Sequence, residues 1–157
     1  MNRISYSPNI LVHTSDTNYM KDNDLDTLID IWYTGSLQAH NFIDSSYWKS
    51  HIKKMKEEYI PMSEMHVITN QTKIIGFISM VDDYLAALFI DVACQNEGAG
   101  KKLLDFEKEQ RNIIQLKVYK ENSSAVRFYK NNGFIIKKEL TDEQTNEQEY
   151  MMEWTRE

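Results

Sequence analysis

The chain has 157 residues, 41% of them hydrophobic and 11% aromatic, enough to build the core of about one domain over residues 1–157 and too apolar for a disordered chain. Its formal charge of -6 and pI near 5.3 count against a nucleic-acid partner, since neutralising phosphates needs a surplus of Lys and Arg; a cationic small molecule or a basic peptide is the easier partner. Cys94 is the only cysteine, Met1 to Pro8 lack the apolar stretch of a signal peptide, and no run reaches the ~20 apolar residues of a membrane span, so a cytoplasmic protein with no membrane partner is expected.

In chain order, a first strand is expected at Arg3 to Tyr6 or at Ile10 to His13. From Asn23 to Leu37 the residues Leu25, Leu28, Ile29, Trp32 and Leu37 recur near helical spacing, with Asp22, Asn23 or Asp24 available as cap. Asp44 or Ser45 can cap a second helix that buries Trp48, Ile52, Met55 and Tyr59 and stops at Pro61. The period then changes to that of strands: Met65 to Thr69 and Lys73 to Val81 flank the turn Asn70-Gln71-Thr72, and Asp82-Asp83 leads into Tyr84 to Val92. The segment Leu85 to Val92 is apolar on both faces, the pattern of a central strand. A helix from Gly100 to Arg111, a strand from Ile113 to Tyr119, a helix from Ser124 to Asn131 and strands Phe134 to Leu140 and Glu149 to Trp154 complete the pattern. The strand, helix, strand run from Leu85 to Tyr119 demands a crossover, so its two strands should be parallel neighbours in an otherwise antiparallel sheet. The fold class is therefore α+β, a mixed, mostly antiparallel sheet with helices on both faces.

Gln95-Asn96-Glu97-Gly98-Ala99-Gly100-Lys101 joins the central strand to a helix start. Such a turn aims backbone NH groups and the positive end of a helix dipole at one point, which suits a phosphate. The nucleotide motifs fit poorly: Leu103 stands where the dinucleotide fingerprint needs a third glycine, and one residue rather than four separates the glycines. A nicotinamide enzyme, suggested by Gly-x-Gly and Glu121, would also lack chain for a substrate domain. Further on, Asn122 or Ser123 can cap a short helix bearing Val126, Phe128 and Tyr129, with Gly133 as its left-handed stop.

The two motifs together resemble the acetyl-CoA signature of the GNAT N-acetyltransferase superfamily, a Gln/Arg-x-x-Gly-x-Gly/Ala loop followed by an Asn and a helix carrying Phe-Tyr and ending Gly-Phe. Ile31-Trp32, Gln38 to Ile43 and Ala87 to Asp91 look like a small single-domain bacterial branch. The resemblance implies a GNAT-like sheet whose two parallel strands splay to admit pantetheine. It implies acetyl-CoA as cosubstrate, with no metal, and direct transfer of acetyl to a primary amine of a small molecule or a protein. The alternative is a non-catalytic module that senses acyl-CoA.

Residue by residue, the resemblance gives the backbone of Leu88, Phe89 and Ile90 to the pantetheine arm and the loop Gln95, Asn96, Glu97, Gly98, Ala99, Gly100 and Lys101 to the pyrophosphate. Glu97 departs from the small or basic residue common there. Asn122 orients the cofactor, and Tyr129 is the general acid for the departing thiolate. No carboxylate stands where many relatives keep a base on the central strand, a place near Tyr84; His40 is the candidate, with Tyr119 and Asp91 behind it. Trp32, Tyr33, His40, Phe42, Trp48 and Tyr119 are expected around the acceptor. The four histidines show no metal-site spacing, the acidic hairpin Glu139 to Glu149 can attract a cation, and a homodimer is the default oligomer.

Overall fold

The computed structural model describes residues 10–15 and 22–157. Seven strands form one sheet in the order β1-β2-β3-β4-β5-β7-β6: β1 Ile10–Ser15, β2 Glu64–Asn70, β3 Lys73–Val81, β4 Tyr84–Ile90, β5 Ile113–Tyr119, β6 Ile135–Thr141 and β7 Gln148–Thr155. Only β4 and β5 run parallel. Of the two places offered for a first strand, Ile10–Ser15 forms it; Arg3 to Tyr6 lies outside the described residues.

Two helical layers cover the sheet because the strands alternate their apolar residues between faces. On one face, helix α1 (Asp22–Ala39) and helix α2 (Ser45–Ser50) bury Leu28, Trp32 and Trp48 against Met65, Val67 and Phe77. On the other, α4 (Ala99–Gln110) and α5 (Ser123–Asn131) bury Leu103, Leu104 and Val126 against Ile78, Met80, Ile114, Leu116 and Met152. The short α3 (Ile52–Lys54) lies between α2 and a π turn, Met55–Tyr59. Gly35 lets α1 lie close on the sheet: a Cβ there would come within 2.9 Å of the Phe89 ring.

The π turn corrects one expectation. Ile60 N bonds to Met55 O at 3.0 Å, an i to i+5 step that advances the helix phase by one residue. Ile60 takes the buried position at 1% exposure while Tyr59 turns outward at 44%, so the periodicity that buries Tyr59 fails one turn before Pro61. The two hairpin turns and the helix stop expected downstream are present: Gln71 and Asp82 take positive φ in the turns, and Gly133 (φ 89) ends α5, with Phe134 N bonded back to Tyr129 O at 3.0 Å.

The α4 layer is fixed to the sheet by buried charge as well as by apolar contact. Glu107 is fully buried and holds both His66 Nδ1 and Arg111, while Arg111 Nη2 reaches Glu64 at 3.0 Å and its Nε donates to Asp82 O at 3.1 Å. A buried carboxylate persists only when so paired. His66 is thereby a structural residue. Among the described residues no group of His, Cys, Asp and Glu is placed to hold a metal ion, and no helix is long and apolar enough to cross a membrane.

Candidate active site

The parallel neighbours β4 and β5 meet at a single register pair, Tyr84 with Gln115, supported by Gln115 N donating to Asp83 O at 2.9 Å. Beyond that pair they diverge. The cause is local: against β3, Ser79 pairs with Ala87 but Met80 with Leu85, so Ala86 is an extra residue on β4. A bulge of this kind bends its strand and increases the twist, and it stands two residues past the last contact with β5. The expected central strand is therefore covered on both faces, by Leu88 and Ile90 toward α4 and by Ala87 and Phe89 toward α1, yet open along one edge.

The alternation of the ladder decides which backbone groups meet that opening. Asp91 N bonds to Ile75 O at 2.7 Å, so the odd-numbered residues at this end of β4 direct their backbone groups to β3, and the amides and carbonyls of Leu88 and Ile90 point into the gap. Phe89 is the exception among the three strand residues expected at the cofactor: it pairs with Phe77 and its ring lies under Gly35. The strand also ends earlier than its apolar run, because Asp91 accepts from Ala93 N at 3.0 Å and caps a 3-10 turn, Val92–Cys94. That bond engages Asp91 Oδ1 as a turn cap. Cys94 sits in this turn as a free thiol whose pKa is raised, first by burial and then by Asp91 and Glu97.

The loop that follows has the geometry of an anion cradle. Asn96 (φ 66) and Gly98 (φ 85) are left-handed, which turns successive amides to one side, and Gly98 is the N-cap of α4. The first helical bond runs from Lys102 N to Gly98 O at 3.1 Å, so the amides of Ala99 and Gly100 precede the helical ladder. The side chains of the loop do less than expected. Gln95 Nε2 donates to Ile90 O at 3.3 Å, tying the loop to the strand end, and Lys101 pairs with Asp105 at 2.6 Å. Glu97 is exposed and so lies in water. At Gly100 a Cβ would meet Phe128 at 3.5 Å and Ile90 at 3.8 Å, which are ordinary contacts, so neither the helix nor the core requires glycine at this position.

Tyr129, 8% exposed, packs between Phe128 and Phe134, and its hydroxyl has no hydrogen bond to another described residue. Burial, with Tyr84 as a lesser contributor, holds its pKa well above the phenol range, so it stays a proton donor at all ordinary pH. Asn122 caps α5 by accepting from Ala125 N at 3.3 Å. With its oxygen so used, its Nδ2 is the atom that faces His40 Nε2 at 3.2 Å, which makes Nε2 the acceptor and leaves the ring proton on Nδ1.

His40 ends α1, where its amide bonds to Ser36 O at 2.9 Å. Its ring stacks on Trp48 and meets Phe42 and Tyr119 edge-on, and burial alone lowers its pKa to about 4. Nδ1 has no partner, as is true of Ser36 Oγ and Trp48 Nε1 nearby in the same layer. In this arrangement the Nε2 lone pair of His40, the expected base, is engaged by Asn122, and burial makes the imidazole a weak proton acceptor. Trp32, expected around the acceptor, is buried at 5% exposure and lies edge-on to Trp48, on the side of α1 that packs on the sheet. Phe42 and Tyr119 remain half-buried beside the opening.

Sequence reasoning missed what surrounds Tyr119. Its hydroxyl donates to Asp142 Oδ2 at 2.6 Å, and Tyr47 donates to Gln144 at 3.0 Å, so the β6–β7 turn is fastened across to α2. Burial, then the hydrogen bond to Asp142, holds the Tyr119 phenol far above its usual range. The available signal was the acidic hairpin itself, whose tip carries Asp142.

A mixed sheet with one splayed parallel pair and an amide-rich turn at the head of a helix together define a CoA-dependent acyltransferase fold. A family model described as "Acetyltransferase (GNAT) domain" matches residues 33–153, and the chain belongs to this family; it is an acetyl-CoA-dependent N-acetyltransferase. It is 26% identical over 133 residues to the peptidyl-lysine N-acetyltransferase YiaC of Escherichia coli, covering 84% of this chain and 91% of the relative. It is 28% identical over 110 residues to the peptidyl-lysine N-acetyltransferase YjaB of Salmonella typhimurium, covering 69% and 75%. Among solved structures, apo YjaB from Escherichia coli superposes with a TM-score of 0.79 at 21% identity over 92% of this chain and 97% of that one. The PaiA N-acetyltransferase of Thermoplasma acidophilum, solved with coenzyme A, gives 0.72 at 20% identity over 93% and 99%.

Proposed function

We propose that this chain acetylates lysine side chains of proteins or peptides. Acetyl-CoA lies in the β4–β5 gap, with its pyrophosphate on the amides of Asn96 to Lys101, its pantetheine on the backbone of Leu88 and Ile90, and its thioester beside Tyr129. The observation that carries this reading is the single register pair between β4 and β5, which leaves the NH and C=O of Leu88 and the NH of Ile90 without a strand partner, while Ile90 O accepts from Gln95. Buried NH and C=O groups need partners, and an extended amide-bearing arm supplies them in the manner of an added strand.

Chemistry follows from the placement. An amide of β4 donating to the thioester carbonyl stabilises the charge that grows on oxygen as the amine attacks. Tyr129, kept protonated by its burial, gives its proton to the departing thiolate. Asn122 sets the start of α5 and with it the position of Tyr129, while holding His40 in one tautomer. A protein acceptor is supported by the names of the two relatives and by the face of the sheet beside the gap. There Gln115, Lys117, Met151 and Glu153 are partly or fully exposed, a platform wide enough for an extended peptide rather than a closed pocket.

The test is a panel of acceptors. Incubation with acetyl-CoA should release CoA thiol fastest with lysine-containing peptides, and those peptides should gain the mass of one acetyl group on the lysine side chain. Release only with free amino acids or small amines would return the acceptor to the small-molecule class. Tight CoA binding with no release for any amine would favour the sensing module.

A further inference from the structure

The acetyltransferase reading leaves the amine's proton without a destination, because β4, Tyr84–Ile90, carries no carboxylate to receive it. We propose that Glu149 on β7 takes the proton from the acceptor ammonium, across the gap from the strand that lacks a base.

Register places it there. Glu149 pairs directly with Tyr119, and directly opposed residues share a face of the sheet. The Tyr119 ring touches His40, Phe42 and Trp48, so Glu149 lies on the α1–α2 face, at the open end of the gap. The faces of β5 and β7 toward α4 and α5 are occupied by Ile114, Leu116, Val118 and Met152, leaving this side as the approach for an acceptor.

Elimination then isolates Glu149. Asp91 caps its turn. Asp142 accepts from the Tyr119 hydroxyl and from Gln144 N at 3.0 Å. Glu153 accepts from Gln115 Nε2 at 3.0 Å, and Glu139 accepts from Lys120 at 3.0 Å. His40 gives its lone pair to Asn122. The Glu149 carboxylate has no hydrogen bond to another described residue, and the residue is half-buried, open to a ligand while partly withdrawn from water. The charged and titratable groups that face it are Lys117 and Tyr119 on β5, Tyr84 on β4, Tyr47 on α2 and Asp142 at the hairpin turn. Burial and then Asp142 raise its pKa, with Lys117 opposing, which moves a carboxylate toward the range where it accepts protons well near neutrality.

The step balances as follows. The ammonium gives one proton to the Glu149 carboxylate, directly or through one water. The freed amine attacks the thioester carbon, forming the C–N bond. Collapse breaks the C–S bond, and the Tyr129 hydroxyl protonates the thiolate. The second amine proton returns to the Tyr129 phenolate through solvent, and Glu149 releases its proton to water. One ammonium and one thioester give one amide, one thiol and one proton.

The assignment is tested by steady-state kinetics against pH with acetyl-CoA and a lysine peptide. Below its pKa Glu149 is protonated and idle, so activity falls as pH falls. Glu149→Gln should lower kcat by about 10²-fold and abolish that acid limb, with CoA binding by calorimetry unchanged and Glu149→Asp recovering part of the rate. Asp142→Asn removes the repulsion that raises Glu149 and should move the acid limb to lower pH, a shift that a purely structural glutamate would not produce. A Glu149→Gln enzyme with wild-type kcat and the same acid limb, or an Asp142→Asn limb that stays in place, overturns the assignment alone. A wild-type protein that turns over no amine overturns the acetyltransferase reading and this step with it.

Discussion

The two sides of the gap are built from different parts of the chain. On the side proposed for the cofactor, the groups that face outward are backbone: the amides at Asn96 to Lys101, shaped by left-handed Asn96 and Gly98, and the edge of β4 freed by the Ala86 bulge. On the side proposed for the acceptor the surroundings are side chains from separate parts of the chain, with His40 just past α1, Tyr47 from α2, Tyr119 from β5, Asp142 from the hairpin turn and Glu149 from β7. Backbone sites need particular φ angles and a missing Cβ, which a short contiguous motif records. Side-chain sites need only that distant positions meet, which the fold decides.

The comparison can be broken at the phenol. Tyr129→Phe should cut kcat by about 10²-fold while leaving the KM for acetyl-CoA nearly unchanged, if the cosubstrate is held by backbone as proposed; steady-state thiol release measures both. A large change in KM with kcat intact would move Tyr129 to the binding side.

The acceptor side offers a stability test through His40. Its folded pKa of about 4 lies below the 6.5 of an unperturbed imidazole, so the unfolded chain binds the extra proton between those values. Stability is full above pH 6.5 and is lost as pH falls; at pH 5 the loss is about 2 kcal/mol. Urea unfolding at pH 7 and pH 5 should show it, and His40→Gln should remove most of the difference. A pH-independent midpoint would mean the imidazole is not buried as described.

Asn122→Ala should cost about 1 kcal/mol as a lost cap, seen as a lower thermal midpoint, and should also free His40 Nε2, raising the pKa of the imidazole in an NMR titration. An unmoved imidazole would separate the cap from the tautomer. The smallest effect is the most specific: Gly100→Ala should leave the fold intact or stabilise it by about 0.5 to 1 kcal/mol, as alanine does inside a helix. The same change should raise the KM for acetyl-CoA several-fold. Equal KM would place the cofactor away from α4.

How much of this the sequence disclosed follows the same division. Asn122, Gly133 and the run from Gln95 to Lys101 announce their elements because caps and left-handed turns are local chemistry, and the crossover from β4 to β5 follows from chain order. Tyr59 was misjudged because a π turn changes the helical phase, which no apolar spacing records. Trp32 and His40 look alike in sequence to pocket residues, and only packing shows that one belongs to the core and the other gives its lone pair to Asn122. Glu149 was legible as part of an acidic hairpin but not as the partner of Tyr119, because β7 enters the sheet between β5 and β6, and that order is set by long-range pairing.

The most direct measurement of the central claim is an amide NMR titration with CoA. The predicted result is that the shifts concentrate at Leu88, Ile90 and Asn96 to Lys101, with Phe89 moving much less because its amide belongs to the β3 pair. Shifts spread along β1 and β2 instead, or an equal response at Phe89, would contradict a cosubstrate lying along the open edge of β4.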